Sequence, residues 1–296
     1  MIRLEYFIRR PAGMERETFL NIWKEEYAPL VARYATALNI RKYVQAEVLP
    51  EDPHGAMLTQ LYGAGGEIYD GVNEFWWASR KELDEALATP EGKEAMAALV
   101  AAEKKFVDFA RSDLWFAIDL PQINPPGKIV AREDNMYLKG LYVGKMREEL
   151  TPDEVKFHWL TCHGAMARQY EQFLPFERYI QVSRIEDPLA DRMREERGMT
   201  DRPTIGHAEV WFDRRAIALA QGPEVDEAFP LLVADIGNFA DASQSAMHVA
   251  KEHIIVDKKI FTAPIPVPTD HRIYCGGRSR NPNAALRPAN KCADTQ

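Results

Sequence analysis

The chain has 296 residues, of which 46% are hydrophobic and 28% charged, values typical of a globular protein with one or two domains and an ample core. The net charge of −8 argues against nucleic-acid binding, and no apolar run approaches the roughly 20 residues that span a bilayer. The N-terminus lacks a signal-peptide core, and the three cysteines (Cys162, Cys275 and Cys292) form neither a disulfide framework nor a C-x-x-C zinc motif. The composition therefore predicts a cytoplasmic protein without nucleic-acid or membrane partners.

The first 120 residues predict the order strand, helix, strand, strand, helix, strand. Alternating apolar residues predict strands at 1–9, 39–49, from 70 onward, and at 114–120. Apolar residues at helical spacing predict helices at 15–37, near 80–88 and near 91–110. Residues 50–69 contain Pro and Gly and are predicted to form a long loop.

After a polar linker at 121–134, the same order returns. Strands are predicted at 135–146, 177–186, 204–213 and 246–257, and helices at 151–170 and up to about 242, with a charged loop at 187–203. The last stretch, 258–296, has seven Lys and Arg residues against two Asp and is rich in Pro, Asn and Gly. It is predicted to be a solvated tail or, alternatively, an arm that crosses to a second chain in a homodimer.

The two halves match residue by residue, which indicates a duplicated domain. Aromatic residues recur at an offset of 136, and later motifs recur at 135 and 133, so insertions fall only in loops. The matched pairs at offset 136 are Tyr6 with Tyr142, Trp23 with Trp159, and Tyr43-Val-Gln45 with Tyr179-Ile-Gln181. The predicted repeats are 1–120 and 135–257.

A split β-α-β unit gives a four-stranded antiparallel sheet with helices on one face. The bare faces of two such sheets can cover each other. The predicted fold is therefore α+β, with two tandem ferredoxin-like domains packed sheet to sheet as an α+β barrel within one chain. A relative with a single repeat would need to dimerise to cover the same face.

The most informative segment for chemistry is the predicted helix at 151–170. Thr151 and Glu154 form a capping-box pattern at its start. His163 follows Trp159 by four residues, so the two side chains are neighbours one turn apart. A titratable imidazole beside a large aromatic ring is a candidate general acid or base, although a single His is also compatible with a hydrogen-bonded boundary residue.

Further candidates come from the strands of the second half. Tyr142 and Tyr179 could donate hydrogen bonds to a substrate, or could be core tyrosines. Trp159 and Trp211 could stack on an aromatic ring, and plain core packing is the alternative.

His207 replaces a valine at the matched position of the first half, Val72. It could pair with His163 if its strand face meets the helix, and the idea fails if that face points into the barrel. His158 and His163 are five residues apart, which is poorly aligned on an α-helix, and His158 is predicted to be peripheral. No motif for a metal, phosphate or nucleotide cofactor appears, so the prediction is an enzyme without a cofactor.

These motifs resemble the EthD family of dimeric α+β barrels, over residues 1–120 and 135–257. The resemblance is carried by the following motifs: Phe19-x-x-x-Trp23-x-x-x-Tyr27-Ala-Pro-Leu30, Tyr69-Asp-Gly-x-x-Glu74-x-Trp76, Trp159-x-x-x-His163 and Ala208-Glu-Val-Trp-Phe-Asp213. The family's histidine after the tryptophan matches His163, whereas Tyr27 stands at that position in the first half. The resemblance therefore implies an active second half and a degenerate or structural first half.

The resemblance also implies an apolar pocket between sheet and helices that binds a small hydrophobic, often aromatic, molecule. On this basis we expect a lyase that decarboxylates or dehydrates an aromatic substrate, with His163, His207 and Tyr142 as catalytic residues. Trp159, Tyr179, Trp211 and Tyr27 are the expected binding residues. A cofactor-free monooxygenase or cyclase, and a non-catalytic accessory protein of aromatic or ether catabolism, are the alternatives.

Overall fold

A computed structural model of the chain describes residues 1–127, 129–202 and 204–258, and these residues contain a closed barrel of eight antiparallel strands. The strands are β1 (Ile2–Ile8), β2 (Lys42–Val48), β3 (Gly71–Trp77), β4 (Asp113–Ile123), β5 (Tyr137–Met146), β6 (Arg178–Ile185), β7 (Thr204–Asp213) and β8 (Ala240–Asp257). Their order around the barrel is β1-β3-β2-β8-β5-β7-β6-β4. The halves join where β2 pairs with β8 and β4 with β6, which confirms the predicted α+β barrel.

Helices cover the outside of the sheet. In the first half they are α1 (Arg16–Asn21), α2 (Ala28–Tyr34), α3 (Pro53–Tyr62), α4 (Arg80–Ala88) and α5 (Pro90–Glu103). In the second half they are α6 (Pro152–Phe157), α7 (Gly164–Gln169), α8 (Pro188–Arg197), α9 (Arg214–Leu219) and α10 (Pro223–Ile236). Across the described part of the chain, no helix combines the length and apolarity needed to cross a membrane.

Both long helices that start a repeat contain a π-helical segment. Ile22–Tyr27 separates α1 from α2, and His158–His163 separates α6 from α7. The capping box at Thr151 and Glu154 is present, with both reciprocal hydrogen bonds formed. Each π segment carries the tryptophan and the tyrosine or histidine of the motif, and π segments occur frequently at functional sites.

The two regions predicted as loops each contain a helix, so those predictions are wrong. Asp52 and Asp187 cap α3 and α8, and a proline occupies the first helical position in each. Gly63 and Gly198 end the two helices at φ +61° and +66°, a conformation that glycine adopts without strain. These start and stop signals determine that both segments are helical. The two helices match each other in the repeat at an offset of 135.

The hydrophobic core has three parts. One lies between the first-half helices and the sheet around Trp23, and a second lies equivalently in the second half around Trp159. The third fills the barrel and includes Phe7, Trp115 and Trp211. One face of each strand therefore packs against the helices and the other lies inside the barrel. The face on which a candidate side chain lies decides which of these cores it joins.

Gly206 shows how tightly β7 packs on β6. Its φ is +124°, and a Cβ at this position would lie 1.9 Å from the carbonyl oxygen of Val182. We expect Gly206→Ala to lower the free energy of unfolding by about 1–3 kcal/mol or more, measured by urea denaturation. Gly127→Ala is the control, because nothing lies within 4 Å of that Cβ position. Equal urea midpoints for the two variants would contradict the expectation.

Candidate active site

A small cavity of about 40 Å³ lies between the outer face of the second-half sheet and the helices that cover it. Its lining is almost entirely apolar and aromatic, with one histidine. The lining residues are Tyr62, Tyr142, Trp159, His163, Ala167, Phe176, Tyr179, Ala208, Val210, Phe229, Leu232, Ile236, Phe239 and Met247. The structure thus brings together four of the predicted residues: His163, Tyr142, Trp159 and Tyr179.

His163 is buried at the end of the π-helical segment and is held by a carboxylate. Its Nδ1 lies 2.9 Å from Oδ2 of Asp235, which is in the last turn of α10. Burial alone would raise the pKa of Asp235, but hydrogen bonds from His163, His158 and Asn238 hold it at about 2. An ionised carboxylate can only accept, so Nδ1 of His163 carries a proton in this contact.

His158 is half-buried and does not line the cavity, but it contacts the other oxygen of the same carboxylate, so the expectation that the two histidines diverge is wrong. Its Nε2 lies 2.8 Å from Oδ1 of Asp235. The prediction assumed α-helical geometry, in which residues five apart diverge. In a π-helix the backbone hydrogen bond joins residues i and i+5, so His158 and His163 lie one turn apart and meet one acceptor.

Asp235 is a site residue that the sequence reasoning missed. In the first half Glu103 occupies a similar place in the last turn of α5. Each acid lies one turn before a phenylalanine of the repeat, Phe239 or Phe106. An acidic residue before this phenylalanine in both halves was the available signal.

Two buried tyrosine hydroxyls at the cavity, those of Tyr142 and Tyr179, donate no hydrogen bond to any described residue, although donor groups lie near both oxygens. Burial raises the pKa of Tyr142 to about 12 and also raises the pKa of Tyr179. Both phenols are therefore neutral at physiological pH and can donate a hydrogen bond. Beside them Gln181 donates to the carbonyl oxygen of Trp159 at 2.7 Å, which ties the π-helical segment to β6.

The first half supplies the cover of this cavity. Tyr62, at the end of α3, packs with ring centroids 5.4 Å from Tyr142 and 6.3 Å from Phe229. Both Tyr62 and Phe229 are half-buried, so they stand between the cavity and solvent. Tyr62 was not predicted as a site residue because its helix was predicted as a loop.

His207 and Trp211 do not line this cavity, and the pairing of His207 with His163 is wrong. Side chains alternate along β7, so Ala208 and Val210 face the helices, whereas His207 and Trp211 lie inside the barrel. There His207 contacts Glu209 at 3.1 Å, and the indole of Trp211 donates to Glu252 at 2.8 Å. The sequence alone could not tell which face was which, because the barrel interior is also rich in polar residues.

The barrel interior holds a buried ionic network centred on Arg3 and Lys139. Arg3 lies 2.7 Å from Glu209 and 3.6 Å from Glu74, and Lys139 contacts both acids as well. Burial raises the pKa of Glu74, whereas Arg3 and Lys139 lower that of Glu209 despite its burial. Burial lowers the pKa of His207 to about 4, so this imidazole is neutral at physiological pH.

The equivalent place in the first half is filled by an ion pair. Tyr27 stands where His163 is, and its hydroxyl donates to Glu103 at 2.8 Å. Arg197 of α8 binds Glu103 through Nε at 2.7 Å and Nη2 at 3.1 Å, and the remaining cavity is about 20 Å³. Arg197 matches Tyr62 at an offset of 135, so each half's extra helix covers the pocket of the other half.

A larger groove of about 690 Å³ lies on the surface between α4, α5 and α8. Its described lining consists of aliphatic residues and solvent-facing charges and includes no histidine, tyrosine, serine or cysteine. Size alone therefore does not identify the reactive pocket, and the smaller cavity at His163 is the better candidate.

His248 gives the fold a predictable pH dependence. It is buried in the barrel, neither ring nitrogen has a hydrogen-bond partner among the described residues, and burial lowers its pKa to about 3, with His207 and Arg9 contributing. The unfolded chain protonates below about pH 6.5 while the folded chain stays neutral, so stability falls as the pH drops from about 6.5 towards 3. We expect His248→Gln to flatten this loss, which reaches up to about 1.4 kcal/mol per pH unit, in urea titrations between pH 7 and 4. An unchanged slope would contradict the expectation.

Comparison with known proteins agrees with the duplicated architecture. The model of the EthD domain matches residues 11–110 and again 147–243. No curated protein matches the sequence significantly.

Two solved structures are similar in fold, and each protein is named a "putative monooxygenase". The protein from Lactobacillus acidophilus NCFM is 10% identical, with a TM-score of 0.41 over 88% of this chain and 97% of its own. The protein from Fusobacterium nucleatum subsp. nucleatum ATCC 25586 is 6% identical, with a TM-score of 0.47 over 88% and 95%. The two domain matches together cover about two thirds of the 296 residues, and the chain belongs to the EthD family.

Proposed function

We propose that this chain is an enzyme that performs acid–base chemistry on a small aromatic compound in the second-half cavity, with His163 as the catalytic residue. The observation that carries the proposal is the hydrogen bond between Nδ1 of His163 and Asp235. This bond fixes the tautomer and the ring orientation, as carboxylates do for catalytic histidines. Nε2 is then the nitrogen that remains to take or give a proton at the apolar cavity that His163 lines.

The substrate class follows from the lining. Trp159, Phe176 and Phe239 offer aromatic and apolar surface for one ring. The hydroxyls of Tyr142 and Tyr179, which donate to no described residue, offer two donors for an oxygen on that ring or on its substituent. A hydroxylated aromatic acid or a related phenolic compound satisfies both requirements.

The favoured reaction is that of a lyase, either decarboxylation or dehydration. In decarboxylation, protonated His163 gives its Nε2 proton to the ring carbon that bears the carboxylate. The carbon–carbon bond then breaks, its electron pair restores the aromatic ring, carbon dioxide leaves, and solvent returns a proton to His163. Such a positioned proton transfer supplies about 10²–10⁴-fold, and a phenolic substrate holds the developing charge itself.

Substrate entry requires movement of the cover. A cavity of about 40 Å³ is smaller than the several hundred Å³ of ordinary ligand pockets. Tyr62 and Phe229 are the half-buried rings at its edge, so their outward rotation is the expected opening step.

The test is to incubate the full chain and His163→Ala with a panel of phenolic acids and hydroxylated aromatics, and to follow the products by chromatography and mass spectrometry. We expect a loss of carbon dioxide or of water from one substrate with the wild type, and turnover lower by about 10²–10⁴-fold with the variant. Full turnover by His163→Ala would show that His163 takes no part in the reaction.

An oxygen electrode separates the main alternative. Oxygen consumption that depends on substrate would identify a cofactor-free monooxygenase and would overturn the lyase. Ligand binding without any product, in both proteins, would favour an accessory protein and would overturn catalysis altogether.

A further inference from the structure

Inside the barrel, two buried side chains face each other without a complete set of hydrogen bonds. Oε2 of Glu5 lies 3.5 Å from Nε2 of His207, and this oxygen has no hydrogen-bond partner although Glu5 is fully buried. Nε2 of His207 also lies 3.1 Å from Oε1 of Glu209. One ligand atom from each of the three residues lies within 4.8 Å of the other two.

Comparison of the two halves shows that the Glu5–His207 pair occurs in only one of two equivalent positions. The ionic core itself is duplicated, because Arg3 matches Lys139 and Glu74 matches Glu209. At the same offsets of 136 and 135, Glu5 matches Leu141 and His207 matches Val72. The barrel therefore closes with an apolar pair on one side of its pseudo-two-fold axis and with a carboxylate and an imidazole on the other.

The network around this pair also contains more acids than cations. Arg3 and Lys139 are the two fully buried cations of the network, and between them they contact five acids: Glu5, Glu74, Asp119, Glu209 and Glu252. Three of these acids therefore have no buried cation of their own. The half-buried Lys42 and Arg178 lie over the rings of Trp76 and Trp211 and offset part of that excess. A buried charge excess is costly unless a cation or protons compensate it.

We propose that Glu5, His207 and Glu209 form a site for a divalent transition-metal ion, with Zn²⁺ as the best match. Zinc takes imidazole nitrogen and carboxylate oxygen at about 2.0–2.2 Å, which places neighbouring ligand atoms roughly 3.4 Å apart in a tetrahedron. The 3.1 and 3.5 Å separations around Nε2 of His207 are close to this value, and the third separation is within 4.8 Å. The ion shares Glu209 with Arg3 and Lys139, and Glu5 supplies the oxygen that neither cation contacts.

An entry route lies at the same end of the barrel. A pocket of about 200 Å³ opens there, with Trp115, Val143 and Ala246 among its lining residues. The ring of His207 lies 6.2 Å from that of Trp115, so the proposed site is one layer below the pocket. The metal joins β1 to β7 and is separate from the cavity at His163.

The test measures zinc in the full chain, purified without a polyhistidine tag, after incubation with ZnCl₂ and removal of free metal. We expect stoichiometric zinc in the wild type and none beyond background in the double variant Glu5→Leu with His207→Val. This variant copies the apolar pair of the other half, so the barrel already accommodates its side chains. Co²⁺ in place of zinc should give visible absorption bands with the wild type that the double variant lacks.

Other outcomes overturn the proposal. Wild type without retained zinc, or equal zinc in both proteins, would place no metal at these residues. His271, Cys275 and Cys292 are unchanged in every variant, so zinc bound by them does not alter the difference. If the double variant does not fold, Glu5→Gln decides, because zinc affinity equal to that of the wild type would exclude Glu5 as a ligand. Zinc should also raise the melting temperature of the wild type and not that of the variants.

Discussion

Asp235→Asn is expected to remove most of the turnover of the second-half site while the barrel stays folded. The carboxylate accepts from Nδ1 of His163 and so leaves Nε2 as the nitrogen that exchanges a proton at the cavity. An asparagine amide can also donate, which permits the other tautomer and a rotated ring. The loss should approach the about 10²–10⁴-fold expected when His163 itself is removed. Turnover of the substrate identified with the phenolic panel is the measurement.

A second readout does not depend on a substrate. Nitrogen NMR of the imidazole should show His163 protonated at Nδ1 in the wild type and a mixture of tautomers in Asp235→Asn. His158 shares the carboxylate and provides an internal comparison. Unchanged turnover together with an unchanged tautomer would show that Asp235 neither orients His163 nor contributes to the reaction.

Glu103→Gln, at the similar place in the first half, is expected to have the opposite effect. It should lower the free energy of unfolding by about 3–5 kcal/mol and leave turnover at His163 nearly unchanged. The reason is that Arg197, which is 7% exposed, would lose its bidentate carboxylate and remain as an unpaired buried cation. For a barrel of this size such a change lowers the melting temperature by on the order of 10 °C, measured by calorimetry.

A double variant tests the cause of this loss. Glu103→Leu combined with Arg197→Met removes both charges and should recover most of the stability, because well-packed apolar residues often replace a buried ion pair at little cost. A double variant as unstable as Glu103→Gln would indicate that packing around Tyr27, and not the unpaired cation, is responsible. Asp235→Asn and Glu103→Gln thus serve as matched controls for each other.

The fold was predictable because the repeat keeps its register. Pairs such as Trp23 with Trp159 establish the equivalence of the two halves from the order of residues alone. The pairing of two bare sheets then follows from the need to cover apolar surface. The helices α3 and α8 were missed for two reasons. The Pro and Gly residues that predicted a loop at 50–69 include the start and the stop of α3, and the charged composition of 187–203 predicted a loop there.

The site was less predictable because it depends on contacts between distant segments. Asp235 lies 72 residues after His163, and no local pattern joins them. The π-helical segment was also invisible to a 3.6-residue period, and it alone brings His158 to the same carboxylate. The face on which His207 lies could not be predicted, because alternation gives the two faces of a strand but not which face meets the helices.

The crossed placement of α3 and α8 has a genetic consequence. When two identical chains form such a barrel, every substitution appears in both pockets, and neither pocket can change alone. Two halves in one chain are free of this coupling: Tyr62 covers one pocket while its match, Arg197, fills the other. One half holds a buried ion pair where the other holds His163, and each pocket is covered by a helix of the other half. The chain therefore cannot be divided into two independent working halves.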